Sequence, residues 1–302
     1  MSKSDFYNKQ IWTFQQTLFF GYPRLLYSSK NTNMEKTVLI TGASAGIGRA
    51  TAILLAEKGY NVYGAARRIE KMDDLKRLGI KPALLDLAND KSMIDAVNHI
   101  LKEAGNINIL INNAGFGSYG AIEDVSMDDA RYQLEVNVMG AMRLAQLVLP
   151  KMRGHGQGKI INISSVGGKV AMPMGGWYHA SKFALEALSD SMRMEVKPFG
   201  IDVIVMEPGA TKSEWGNIAF ESLIRVSGDT PYKELAYKVH NAFEKVAGNV
   251  SAPETIAQLI LKAVTSKQPH TRYAKWDAKF LLALKRILTD NMMDKLIMGQ
   301  AK

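Results

Sequence analysis

The sequence predicts an α/β fold, a doubly wound parallel sheet with helices on both faces. Three observations predict it. Short apolar runs alternate with segments of helical period from Lys36 onwards. The runs are apolar at nearly every position, as in parallel strands that are buried on both faces. Glycine ends several elements, as Gly42, Gly59 and Gly209 do.

Six strands and four helices are expected in alternation. The predicted strands are Thr37–Thr41, Asn61–Ala65, Ala83–Asp86, Ile107–Ile111, Lys159–Ile163 and Ile201–Met206. The predicted helices are Arg49–Lys58, Lys91–Glu103, Arg131–Met152 and Tyr178–Lys197. Gly59 stops the first helix, and Pro198 and Gly200 follow the last one.

These elements predict one domain over residues 34–267, flanked by two further segments. Residues 1–33 are aromatic and polar without a clear period, and Met34 directly precedes the first strand. We expect an N-terminal extension that is poorly packed, with a natural start at Met34; an amphipathic surface anchor is the alternative. Residues 268–302 contain an amphipathic helix, Trp276–Leu296, which suits a surface helix or a helix facing a membrane or another subunit.

Residues 212–248 interrupt the alternation after the sixth strand. The carboxyl ends of parallel strands are where such sheets bind ligands, so this insertion is interpreted as a helical substrate lid. Additional packing without a role in binding is the alternative.

Composition excludes several classes of protein. The chain has 302 residues, 47% hydrophobic and 22% charged, as expected of a globular protein with a full core. It has no cysteine, which excludes disulfides, thiolate metal sites and a cysteine nucleophile. The net charge of +9 is spread without a basic block, which favours anionic small molecules over nucleic acid.

A glycine-rich turn follows the first strand and opens the first helix. It contains Gly42, Ser44, Ala45, Gly46, Ile47 and Gly48. Glycines let the backbone turn tightly, and free N–H groups at a helix N-terminus favour a pyrophosphate. The strand–turn–helix context therefore predicts a dinucleotide site.

The end of the second strand predicts which dinucleotide binds. An NAD site typically places an acidic residue there, against the ribose 2′-hydroxyl. This chain has Arg67 and Arg68 instead. Guanidinium groups suit a 2′-phosphate, so we expect NADP(H) to be preferred over NAD(H), with Arg67 as the main contact.

Tyr178 and Lys182 are four positions apart, so on a helix they share one face. A nearby ammonium favours the phenolate and is expected to lower the pKa of the phenol towards the useful range.

The glycine turn, Asn112-Asn113-Ala114-Gly115 after the fourth strand and Tyr178-x-x-x-Lys182 occur in this order. The chain thus resembles the classical short-chain dehydrogenase/reductase family, with its Rossmann-type sheet, over about Lys36 to Lys267. Its lid and tail resemble the hydroxysteroid- and retinol-dehydrogenase-like members.

The resemblance implies four catalytic residues. Tyr178 is the proton donor in carbonyl reduction, or the base in alcohol oxidation, and Lys182 lowers its pKa and contacts the nicotinamide ribose. Ser165, rather than its neighbour Ser164, orients the substrate. Asn137 kinks the long helix and holds a water in the proton relay to Lys182.

The resemblance also implies further cofactor contacts. Asp86, with Leu87, contacts the adenine, and Asn113, Ala114 and Gly115 line the ribose side. Pro208, Gly209, Thr211 and Ser213 flank the nicotinamide carboxamide. Ser213 stands where threonine is usual and Thr211 where an aliphatic residue is usual, so fine geometry is expected to differ.

The substrate is expected to be a hydrophobic alcohol or ketone. Val166–Trp177, together with Phe116, Tyr119 and Trp215, offers apolar and aromatic surface near the reacting centre, although these residues could simply pack under the lid. No metal and no nucleic acid is expected, and membrane contact is not favoured. A cytoplasmic homodimer or homotetramer is expected, formed through the two long helices. A dinucleotide sensor without turnover is the alternative function.

Overall fold

Within residues 36–212, 214–247 and 250–300, which the computed structural model describes, seven parallel strands form one sheet. The strands are β1 Thr37–Thr41, β2 Asn61–Ala66, β3 Lys81–Leu84, β4 Ile109–Asn112, β5 Gly158–Ile163, β6 Ile201–Met206 and β7 Arg272–Tyr273. Their order is β3-β2-β1-β4-β5-β6-β7, and all neighbouring pairs are parallel. The predicted Rossmann-type parallel sheet is confirmed.

Helices cover both faces of this sheet. The α-helices of the described residues are α1 Gly46–Glu57, α2 Asp90–Ala104, α3 Met127–Leu134, α4 Gly140–Gly154, α5 Gly176–Val196, α6 Glu214–Ser227, α7 Lys233–Ala247, α8 Pro253–Thr265, α9 Trp276–Ile287 and α10 Asp290–Gln300. Three 3₁₀ segments, Ile69–Leu78, Val166–Gly168 and Lys197–Phe199, complete the connections.

Alternate residues of the strands enter two separate apolar layers. On β1, Val38 and Ile40 pack with α1 and α8, whereas Leu39 packs with α2, α4 and α5. Because successive side chains of a strand point to opposite faces, one apolar run supplies both layers. This explains why the strands carry almost no polar residues at their centres.

Several elements differ from the sequence prediction, among them β4, which is Ile109–Asn112 and not Ile107–Ile111. β3 lies two residues earlier than predicted, because Leu85 and Leu87 are buried without being part of the strand. The predicted helix Arg131–Met152 is α3 and α4 joined by a π turn, Glu135–Met139. The predicted helix Trp276–Leu296 is two helices, because Leu288 has an extended backbone.

The seventh strand was not predicted. Arg272 and Tyr273 pair with Val205 and Met206 at the sheet edge. Two residues are too short to show an alternating pattern, so periodicity cannot detect such a strand.

The predicted insertion folds as two helices, α6 and α7, which meet each other after the sixth strand. The predictions for residues 1–33, for Ser213 and for the side chain of Trp215 lie outside what the structure describes. Across the described helices, none combines the length and the hydropathy needed to cross a membrane.

Candidate active site

The glycine turn passes close to the loop that follows β4. Gly42 has a φ of 70°, and a Cβ there would lie 2.8 Å from Asn113 Nδ2 and 2.9 Å from Ala114 Cα. At Gly48 a Cβ would collide with the Asn113 side chain and the Gly42 carbonyl. Only glycine fits both positions. The turn lies at the point where the strand order reverses between β1 and β4, which is where such sheets bind dinucleotides.

The helix that opens at this turn has no side-chain cap. Its N-cap is Ala45, which cannot accept a hydrogen bond through its side chain, and its first turn contains no acidic residue. Helix N-terminal N–H groups without a side-chain acceptor suit an anion. Ser44, Ala45, Gly46 and Ile47 are all half-buried here, as a surface that contacts a cofactor would be.

Asn113 holds the turn in place. Its Nδ2 donates to Thr41 O at 2.9 Å, and Thr41 Oγ1 accepts from the backbone N of Asn113 and of Ala114, both at 3.0 Å. Both the side-chain amide and the backbone N–H of Asn113 are therefore used within the protein.

The cationic group predicted after β2 is exposed. Arg67 Nη1 donates to the Tyr132 hydroxyl at 2.7 Å. Arg68 instead forms an ion pair with Glu214, the first residue of α6, at 2.9 Å. Sequence reasoning identified the two arginines but missed Glu214, because 146 residues separate it from Arg68.

Asp86 and Leu87 follow β3 at the same edge of the sheet. The Asp86 carboxylate accepts from the backbone N of Ala88 at 3.0 Å, and Ser92 Oγ accepts from the backbone N of Asp86 at 3.0 Å. Leu87 is buried beneath Gly140, where a Cβ would lie 2.6 Å from the Leu87 side chain. The predicted adenine contact is thus held in a fixed turn.

Four predicted catalytic residues lie together at the carboxyl ends of β4 and β5. Tyr178 and Lys182 lie one turn apart on α5 and are buried. Ser165 follows β5; it accepts from the backbone N of Gly167 at 3.0 Å and shares a side-chain hydrogen bond with Tyr178. Ser164, the rejected neighbour, has its backbone N bonded to Met206 O.

Asn137 lies in the π turn, where the sequence predicted a kink. Its Nδ2 donates to Phe116 O at 2.9 Å and to Ser181 Oγ at 3.0 Å, and its Oδ1 accepts from Phe116 N at 3.0 Å. A Cβ at Gly115 would lie 3.0 Å from Asn137 Oδ1 and 3.6 Å from Lys182 Nζ. Asn137 and Lys182 therefore both lie against Gly115. The role of Ser181 was not predicted, because nothing in its spacing points to Asn137.

The expected effect of Lys182 on Tyr178 does not hold in this structure. Burial raises the pKa of Tyr178 to about 12, opposed by the hydrogen bond with Ser165. Lys182 Nζ donates to Ile163 O at 2.8 Å and is 6.0 Å from the centre of the Tyr178 ring. Burial lowers the pKa of Lys182 to about 8, opposed by the Glu186 carboxylate. Desolvation outweighs the hydrogen bond at Tyr178 and the charge interaction with Glu186 at Lys182, because both groups are almost fully enclosed.

The segment after β6 contains the remaining predicted contacts. Pro208 O accepts from Val166 N at 3.0 Å, which joins this segment to the loop of Ser165. Thr211 Oγ1 donates to Gly209 O at 3.1 Å. Of the predicted group, Pro208 thus contacts the loop of Ser165, and Gly209 and Thr211 follow it in the same segment.

An apolar cluster covers Tyr178. It joins the loop around Tyr119 to α6 and α7, and its buried members are Tyr119, Ala121, Met174, Tyr178, Ala219, Leu223, Ala236 and Val239. The Tyr119 ring centre is 5.8 Å from that of Tyr178 and 6.3 Å from that of Phe243. Met174 takes a φ of 65°, uncommon for a residue with a side chain, which marks local strain in this loop.

A buried charge cluster lies behind the catalytic helix. Glu186, one turn after Lys182, is bonded by Arg272 at 2.9 Å and by Lys169 at 3.0 Å. Arg272 also reaches Glu207 at 3.2 Å and Asp190 at 2.7 Å. Since Glu186 and Glu207 are nearly inaccessible, Arg272 balances the charge of two buried carboxylates.

His179 is buried against the loop that follows Ser165. Its Nδ1 lies 2.9 Å from Gly167 O, and burial lowers the pKa of its ring. Among the described residues, no group of three or more histidine, aspartate and glutamate side chains could hold a metal ion.

Comparison with known proteins identifies the family. The family model for "short chain dehydrogenase" matches residues 36–222. The chain is 35% identical to the 3-ketodihydrosphingosine reductase of Bacteroides thetaiotaomicron, over 85% of this chain and 94% of the relative. It is 32% identical to the human 17-beta-hydroxysteroid dehydrogenase type 1, over 84% and 81%. A crystal structure of a short-chain dehydrogenase from Streptomyces avermitilis superposes with a TM-score of 0.72 at 30% identity, covering 89% of this chain and 95% of that one.

Proposed function

Because this chain belongs to the short-chain dehydrogenase family, we propose that it is an NADP(H)-dependent oxidoreductase that interconverts a hydrophobic alcohol and its ketone or aldehyde. The observation that carries the proposal is the grouping of Ser165, Tyr178, Lys182 and Asn137 at one end of the sheet. A bound nicotinamide would supply or accept the hydride.

Tyr178 acts as the proton donor in this proposal. Hydride transfer to a carbonyl places negative charge on its oxygen, and two hydroxyls aimed at that oxygen stabilise the charge. Ser165 already shares a hydrogen bond with Tyr178, so both hydroxyls can reach one oxygen atom. Lys182 Nζ is held by Ile163 O, and Asn137, which like Lys182 lies against Gly115, would hold a water in a proton relay to Lys182.

The raised pKa of Tyr178 keeps the phenol protonated in the free protein. With a pKa of about 12 the phenol keeps its proton at neutral pH, which a proton donor requires. Alcohol oxidation would need the same group to lose its proton first.

The protein's own residues would hold a dinucleotide as follows. The glycine turn and the uncapped N-terminus of α1 would hold the pyrophosphate, and Asp86 the adenine. Arg67 would bind the 2′-phosphate, since β2 ends without an acidic residue.

Arg67→Ala should therefore weaken NADPH binding by about tenfold or more, without a matching loss for NADH. An unchanged ratio of the two affinities, measured by fluorescence titration, would show that Arg67 does not set the preference.

The substrate is proposed to be a hydrophobic compound of moderate size. The apolar cluster over Tyr178 supports this, because a substrate carbonyl beside Tyr178 would be enclosed by apolar and aromatic side chains. Two relatives are named for a 3-keto compound and for a hydroxysteroid, which are a ketone and an alcohol on largely apolar molecules. Polar sugars fit this surface poorly.

We also propose that the chain acts in the cytoplasm as a homodimer or homotetramer. Large apolar side chains are exposed on the π turn and on α5, namely Met139, Phe183, Leu188 and Met194. Burying such a patch between copies would remove it from water. A monomeric mass in light scattering at micromolar concentration would refute the assembly.

The deciding experiment measures NADPH oxidation with a panel of apolar ketones and aldehydes, monitored as the loss of NADPH absorbance. Turnover that falls by about a thousandfold in Tyr178→Phe, with NADPH affinity retained, supports the mechanism. Turnover that survives in Tyr178→Phe refutes it. Tight NADPH binding without turnover on any carbonyl would favour the alternative, a dinucleotide sensor.

A further inference from the structure

The first residue of the lid bridges to the adenosine end of the predicted cofactor site. Glu214 Oε2 pairs with Arg68 Nη2 at 2.9 Å, and Glu214 Oε1 pairs with Lys71 Nζ at 3.0 Å. We call these three residues the Glu214 cluster. Each carboxylate oxygen contacts one cation, and the bonds from both cations hold the pKa of Glu214 below its ordinary value.

The same helix also reaches the reacting end. Ala219 and Leu223 of α6 are fully buried in the apolar cluster that covers Tyr178. Ser222 Oγ exchanges hydrogen bonds with the backbone of Tyr119, at 3.2 Å and 3.3 Å. One helix therefore contacts both Arg68 and Lys71, which follow the proposed 2′-phosphate ligand Arg67 in the chain, and the apolar cluster around the proposed proton donor.

The two ends of α6 are held differently. The later part is enclosed by apolar contacts, whereas Arg68, Lys71 and Glu214 have side chains that are 41% to 49% exposed. Gly216 follows Glu214 inside the helix, and glycine weakens a helix interior. The first turn of α6 is thus the part that can leave its position without disturbing the core.

Arg68 directly follows Arg67 in the chain, so a 2′-phosphate bound by Arg67 would compete with the Glu214 carboxylate for the Arg68 and Lys71 cations. A phosphate offers three acceptor oxygens and more negative charge than a carboxylate, and guanidinium groups bind phosphate well. The two anions would also repel each other at this distance. Binding of one therefore opposes binding of the other, and the effect is reciprocal.

We propose that Glu214 holds the first turn of α6 against Arg68 and Lys71 in the free protein, and that the 2′-phosphate of NADP(H) displaces it and releases the lid. Glu214 is then a positioning residue that couples recognition of the 2′-phosphate to the lid. This inference rests on the proposed NADP(H) preference. A cofactor without a 2′-phosphate leaves Glu214 paired with Arg68 and Lys71.

The test uses the full chain as wild type, Glu214→Gln and Glu221→Gln. Glu221 is exposed on the same helix, so its variant makes the same change in net charge outside the cluster. The probes are 2′,5′-ADP and 5′-AMP, which differ only in the 2′-phosphate. Calorimetry gives the affinities for the two probes. Amide hydrogen exchange shows whether the first turns of α6 are held in place or released.

Because both ion pairs of Glu214 are exposed, the expected change in affinity is modest. Glu214→Gln should bind 2′,5′-ADP roughly 3- to 10-fold more tightly than wild type, with 5′-AMP binding unchanged. Exchange of the first turns of α6 should be faster in free Glu214→Gln than in free wild type. In wild type, 2′,5′-ADP should raise this exchange and 5′-AMP should not. Glu221→Gln should match wild type throughout.

Two kinds of failure can be told apart. If wild type prefers 2′,5′-ADP over 5′-AMP but Glu214→Gln changes neither affinity nor exchange, the inference about Glu214 is wrong while the cofactor preference stands. Weaker binding of 2′,5′-ADP by Glu214→Gln also overturns it. If wild type binds both probes equally, the proposed NADP(H) preference fails, and release by the 2′-phosphate fails with it.

Discussion

Replacing Arg272 by leucine should destabilise the protein substantially. The substitution removes the cation that β7 supplies to the buried carboxylates of Glu186 and Glu207. Breaking a buried ion pair by removing one partner costs about 3–5 kcal/mol. Arg272 is about a quarter exposed and Lys169 still pairs with Glu186, so we lower the expected loss to about 2–3 kcal/mol.

The loss of folding stability in Arg272→Leu should depend on pH. Burial raises the pKa of Glu207, Glu186 raises it further, and Arg272 opposes both. A carboxyl with a raised pKa in the folded state contributes stability at low pH that is lost as the pH rises through that pKa. Without Arg272 the pKa of Glu207 rises further, so the deficit of the variant should be larger at about pH 8 than at about pH 5.

Urea unfolding followed by tryptophan fluorescence measures the deficit, and a thermal melt should show a Tm lower by roughly 4–12 °C. Arg143→Leu is the matched control, because it removes an arginine from an exposed pair with Asp90 and should change stability little. A deficit for Arg272→Leu below about 1 kcal/mol, or one equal at both pH values, would refute the reasoning.

Two further predictions concern the site. Gly48→Ala should abolish NADPH binding because its Cβ collides with Asn113 and Gly42, whereas Gly154→Ala, which meets open space, should bind normally; equal titration curves for the two would contradict this. Lys182 has a pKa lowered to about 8, so between about pH 8 and pH 10.5 the unfolded chain binds more protons at this residue and stability rises with pH. The stability of wild type should therefore increase relative to Lys182→Met over this range, and parallel pH profiles in urea unfolding would contradict the lowered pKa.

The sheet was predictable because its pattern is local. Each strand is a short apolar run, and burial on both faces removes polar residues from its centre, as in Val38–Ile40. The glycine turn and the Tyr178–Lys182 spacing were also local signals. The structure brings Ser165, Tyr178 and Lys182 together as the resemblance implied.

The remaining features depend on contacts between distant parts of the chain. No local sequence pattern predicts that Arg272 binds Glu186, or that Glu214 binds Arg68. The pKa of Tyr178 was expected to fall, because spacing reveals a neighbouring charge but not the degree of burial that outweighs it. The π turn at Asn137 likewise depends on what its amide group bonds to, and those partners come from other segments.

The two outer strands of the sheet limit how molecules can associate. At one edge, β3 contains Lys81 and Pro82, and proline lacks the N–H that a further strand would need. At the other edge, β7 has only two residues. Neither margin offers a long row of unpaired backbone groups, so accidental strand-to-strand joining, a common first step in aggregation, has little to start from. Contacts between copies are left to side chains on the helices.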